Sequence, residues 1–60
     1  MGGLRGMRYR VFERPQCLIR GAWKKGWVVQ LWNGTGWQDV TKPYESEDRA
    51  IRVKDMMTNS

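Results

Sequence analysis

Sixty residues, with eleven Lys and Arg against six acids and a net charge of +5, bound this chain to one small basic domain. A single Cys17 and no histidine exclude an internal disulfide, the common zinc sites and every His-based triad or general base. No apolar run approaches the roughly 20 residues that span a bilayer, so the expectation is a cytoplasmic protein without membrane contact, cofactor or enzymatic activity.

In chain order, Met1-Gly2-Gly3-Leu4-Arg5-Gly6 has the composition of a flexible arm, so residues 1–6 are set apart from one domain over 7–58. Residues 59–60 are expected to fray. From Met7 to Arg14 the residues alternate, with Tyr9 and Val11 on one side and Arg8, Arg10, Phe12 and Arg14 on the other. That period of two predicts a strand, and Pro15, which cannot donate to a ladder, is expected to end it.

Residues 16–23 allow two readings, with Cys17-Leu18-Ile19 either a short extra strand or a buried loop anchor. Lys24-Lys25-Gly26 then predicts a three-residue hairpin loop with Gly26 in the left-handed position. Trp27 to Trp32, Trp-Val-Val-Gln-Leu-Trp, predicts the second main strand. Asn33-Gly34-Thr35-Gly36 follows as a four-residue turn, leading to a third strand from Trp37 to Lys42. That loop length pairs Trp32 with Trp37 and Val29 with Val40, which keeps apolar side chains together.

The end of the chain predicts a helix. Ser46 is placed to cap it, and Glu47 and Asp48 favour the positive end of its dipole. Ala50, Val53 and Met57 share one face, widened by Ile51 and Met56. The expected fold is therefore α+β: a three- or four-stranded antiparallel meander packed on one C-terminal α-helix.

In this register Tyr9, Val11, Trp27, Val29, Leu31 and Val40 face the helix. The outer face carries Arg8, Arg10, Phe12, Arg14, Val28, Gln30, Trp32, Trp37, Asp39 and Thr41. Arginine forks reach phosphate oxygens or guanine edges, glutamine can pair with adenine, and aromatic rings pack on sugars or exposed bases. Arg8, Arg10, Arg14, Lys24, Lys25, Gln30, Trp32 and Trp37 are accordingly the candidate nucleic-acid contacts. The plain alternative is a solvated face with a packed cross-strand Trp pair.

Tyr44-Glu45-Ser46-Glu47-Asp48-Arg49-Ala50 resembles the strand-to-helix junction of the plant ethylene-response-type DNA-binding domains. Gly26-Trp27-Val28-Val29-Gln30-Leu31-Trp32 is similar to that family's second strand, and Tyr9-Arg10-Val11 with Arg14 to its first. The N-terminal domains of phage and transposon integrases share the same three-strand-plus-helix module. The resemblance implies an outer sheet face entering the major groove, with Arg10 and Arg14 on DNA. Gln30 and Trp32 stand where the family has Glu and Arg.

Two functions follow as expectations. One is a double-stranded-DNA-binding module or accessory protein of phage or mobile-element type. The other is a protein-interaction module docking on a host protein through Trp32, Trp37 and Phe12, residue types that dominate interface hot spots. Either fits a monomer or a weak homodimer.

Overall fold

A computed structural model describes residues 8–59; the arm at 1–6, Met7 and Ser60 lie outside the described residues. Strands β1 (Arg8–Ile19), β2 (Ala22–Trp32) and β3 (Trp37–Asp39) form one antiparallel sheet in the order β1-β2-β3, followed by helix α1 (Glu47–Asn59). The fold class is the expected one, with three strands and no fourth among the described residues.

The first hairpin is longer than its sequence pattern indicates. β1 does not stop at Pro15 but continues to Ile19, with the pairing shifted between Arg14 and Cys17. Pro15 sits inside that irregularity on an edge strand, where a missing N–H breaks no essential ladder bond. Residues 16–23 are therefore neither a separate strand nor a loop anchor; they are the distal arms of β1 and β2 and the turn between them.

That turn is Arg20-Gly21, not Lys24-Lys25-Gly26. Both of its residues have positive φ, 54° and 80°, the type I′ geometry whose twist suits a two-residue hairpin. Gly26 lies within β2, opposite Arg14, and is buried. Its hydrogen is required by packing: a Cβ there would stand 2.6 Å from Cys17 Sγ, 3.0 Å from Ile19 Cδ1 and 3.2 Å from Pro43 Cβ.

The second hairpin follows the predicted register, with Trp32 opposite Trp37 and Gln30 opposite Asp39. Asn33 organises its loop, its Oδ1 accepting from the backbone N–H groups of Thr35 and Gly36 and from the Thr35 hydroxyl. β3 is shorter than the expected Trp37–Lys42, although Val40 N–H still donates to Val29 O at 2.9 Å. Beyond it the Thr41 hydroxyl replaces the ladder, accepting from Val29 N–H and donating to Lys42 O. Pairing resumes at Tyr44, which exchanges both backbone bonds with Trp27.

Helix α1 starts as predicted. Ser46 Oγ accepts from Arg49 N–H and Ser46 O from Ala50 N–H, while Glu47 and Asp48 occupy the first turn. The helix packs across β1 and β2 on the face of Tyr9, Val11, Val29 and Leu31, where Val29 and Ala50 are fully buried. Burying a Val side chain of this kind contributes about 1.5–3 kcal/mol. The apolar stripe is narrower than expected: Ile51 is exposed, and Met56 is 70% exposed. Trp27, expected beneath the helix, is only half-buried, and Val40 is exposed.

Candidate functional site

The outer face of the sheet is organised around a row of four polar side chains drawn from all three strands. Cross-strand pairing sets Arg10 opposite Gln30 and Gln30 opposite Asp39, so the three side chains emerge in line on one face. Arg10 Nε donates to Gln30 Oε1 at 2.7 Å, and Gln30 Nε2 donates to Asp39 Oδ1 at 2.8 Å. Arg14 Nη2 closes the row, donating to Asp39 Oδ1 and Oδ2 at 3.0 and 2.8 Å.

Gln30 is 5% exposed, and both ends of its amide are used inside the protein. It therefore aligns the two charged residues beside it. No buried side-chain polar atom lacks a partner among the described residues. The Asp39 carboxyl is held below the ordinary value of 3.8, first by the hydrogen bond from Gln30; burial opposes this next in size, and the hydrogen bond and charge of Arg14 add to the lowering.

Aromatic rings flank this row. The Arg10 guanidinium carbon lies 4.1 Å from the centre of the Trp37 ring and 5.0 Å from that of Phe12. Arg14 approaches the same Phe12 ring at 5.2 Å. Trp32 and Trp37 meet at 5.5 Å between centroids with planes tilted by 60°, the expected cross-strand pair. Val28, assigned to this outer face as the strand partner of Phe12, is nonetheless fully buried.

The eight candidate contacts do not form one patch. Arg10, Arg14, Gln30, Trp32 and Trp37 are brought together, and Arg8 joins them at the edge as the exposed strand partner of Trp32. Arg8 and Arg10 make no ion pair among the described residues, whereas Arg14 is 41% exposed and paired. Lys24 and Lys25 lie in β2 toward the hairpin end. Their ammonium groups stand 3.7 Å from Glu45 and 3.5 Å from Glu13, loose ion pairs at the surface.

Two features escape sequence reading. Asp39 is the hub of the row: the predicted register sets it opposite Gln30, but its two bonds from Arg14, across the central strand, are not visible in the pairing. Trp23 is 68% exposed beside its strand partner Leu18, in the segment 16–23 that allows two readings from sequence.

Comparison with protein-family models, with curated proteins and with solved structures gives no match for this chain. The site's own chemistry therefore carries the functional argument. It offers two guanidiniums held by hydrogen bonds and ring contacts, two tryptophans at one edge, and one carboxylate that partly neutralises the arginines. No group of three or more His, Cys, Asp or Glu able to hold a metal ion exists among the described residues.

Proposed function

We propose that this chain is a small nucleic-acid-binding module that lays the open face of its sheet on duplex DNA. The observation that carries the reading is the row Arg10-Gln30-Asp39-Arg14 with Trp32, Trp37 and Phe12, on the face that α1 leaves uncovered. Pre-oriented guanidiniums lose little freedom on meeting phosphate or a base edge, and planar rings beside them pack on sugars. An antiparallel sheet of this width fits the major groove. The resemblance of the strands and of the Tyr44–Ala50 junction to the ethylene-response-type domains supports the same face.

Roles within the face differ. Arg8 and Arg14 reach phosphate oxygens, Arg14 by exchanging part of its contact with Asp39. Arg10 stays on Trp37 and presents the outer edge of its guanidinium, while Gln30 and Asp39 hold it there. Lys24 and Lys25 add contacts farther along the hairpin. The test is a fluorescence-anisotropy titration of a labelled duplex with wild type and Arg8→Ala/Arg14→Ala. The double variant should bind about tenfold or more weakly, with a shallower salt dependence. Unchanged affinity would remove the sheet face from the interface.

A second reading, a protein partner on the same face, is favoured by Asp39. A carboxylate at the centre of the patch opposes phosphate but suits an interface of mixed charge. Binding to a protein through Trp32 and Phe12 would tolerate salt that abolishes phosphate contacts.

A further inference from the structure

An open groove of about 650 Å³ runs on the opposite side of the molecule, between the tip of the first hairpin, the 42–46 segment and the first turns of α1. Leu18, Pro43 and Tyr44 line its apolar part. Leu18 is 55% exposed, and its direct strand partner Trp23 carries the apolar surface past the groove's edge.

The charge around this groove is unbalanced. Glu45 is matched by Arg20 at 3.8 Å and Lys24 at 3.7 Å. Asp48 lies in the first turn of α1, where the helix dipole favours a carboxylate. Lys42, Arg49 and Arg52 also line the groove and make no ion pair among the described residues. Three uncompensated cations thus stand around an apolar floor with an exposed tryptophan beside it.

The geometry points to a docking groove for an acidic segment of a partner protein, with an apolar side chain seated against Leu18, Tyr44 and Trp23 and carboxylates on Lys42, Arg49 and Arg52. A nucleic-acid backbone fits less well, because phosphates on the three cations would leave the apolar floor of Leu18, Pro43 and Tyr44 unused. The exposed Trp23 at the groove's edge, the half-buried Tyr44 and the exposed Arg49 and Arg52 belong to the residue types that concentrate binding energy in protein interfaces. The groove lies on the helix side of the sheet, away from Arg10 and Trp37, so this inference does not rest on the nucleic-acid reading.

The test is amide chemical-shift mapping of the full chain with three probes: a glutamate-rich peptide carrying a leucine pair, the same peptide with serines for leucines, and duplex DNA. Shifts from the leucine peptide should cluster at residues 18–23 and 42–52. Affinity should fall about tenfold or more in Arg49→Glu/Arg52→Glu, in Trp23→Ala and for the serine peptide. Arg49, Arg52 and Trp23 are all exposed, so an unchanged spectrum of each free variant will certify its fold. Equal binding of the serine peptide, shifts confined to the sheet's outer face, DNA occupying the groove in place of the peptide, or no shift at all would each overturn the proposal.

Discussion

Arg10 lies over the Trp37 ring, its guanidinium carbon 4.1 Å from the ring centre, while its Nε donates to the buried Gln30. A side chain that the strand pattern places on an open face is thereby fixed in one orientation. A cation over a tryptophan face contributes about 0.5–2 kcal/mol, toward the upper end where water is excluded. This contact ties β1 to β3 across the central strand, and Gln30 makes it possible by bonding to both outer strands.

Replacing Gln30 with leucine tests that dependence. Leucine fills the space but leaves Arg10 Nε without its acceptor and Asp39 Oδ1 with Arg14 alone as donor. The expected loss is about 1–3 kcal/mol in denaturant unfolding. Gln30 and Arg14 both lower the Asp39 pKa, so Gln30→Leu and Arg14→Ala should each raise its titration midpoint, followed by carboxyl NMR.

Asp39 sets the acid response of the sheet. Its folded-state pKa is lowered, so its contribution is complete above the unfolded value near 3.8 and is lost as pH falls through the lower folded value. Stability measured from pH 6 downward, on the order of the usual acid range, should decline more steeply for wild type than for Asp39→Asn. The effect at neutral pH should be under about 1 kcal/mol, since both Arg14 and Asp39 are well exposed.

Gly26→Ala should destabilise by about 1–3 kcal/mol, the usual cost of forcing a methyl into a filled site. Cys17 Sγ is the nearest obstacle at 2.6 Å, so Cys17→Ala in the same chain should recover part of the loss. Pro43 Cβ at 3.2 Å limits that recovery. Thermal unfolding of the single and double variants measures both effects.

The first hairpin carries an arginine with φ of 54°, a conformation that asparagine and glycine hold at less cost. Arg20→Asn, which creates an Asn-Gly turn, should therefore stabilise by about 0.5–1 kcal/mol. Its contact to Glu45 spans 3.8 Å at a highly exposed site and offsets little of the gain. Gly21→Ala, at φ of 80°, should act in the opposite direction.

The second hairpin and the helix were legible because each had two agreeing signals. Asn33-Gly34-Thr35-Gly36 matched the burial pattern of Trp32 and Trp37, and Ser46 preceded an acidic first turn and an apolar period near 3.6. The first hairpin misled because Pro15 reads as a strand end and Lys24-Lys25-Gly26 as a loop. Only pairing across the sheet reveals that Pro15 sits in a register shift and that Gly26 is a close-packing position. The same limit applies to the site. The outer face could be listed from alternation, and the register of β3 already set Asp39 opposite Gln30, but the reach of Arg14 to Asp39 across β2 depends on side-chain geometry, and the exposure of Trp23 required the true turn at Arg20-Gly21.

The most direct test of the proposed DNA surface is the salt dependence of duplex binding by the wild-type protein. If Arg8, Arg14, Lys24 and Lys25 each neutralise a phosphate, the logarithm of the binding constant should fall against the logarithm of salt concentration with a slope of about −3 to −4. Arg8→Ala/Arg14→Ala should make that slope shallower by about 2. No binding at low salt, or binding whose slope the double variant leaves unchanged, would contradict the assignment of the sheet's outer face to DNA.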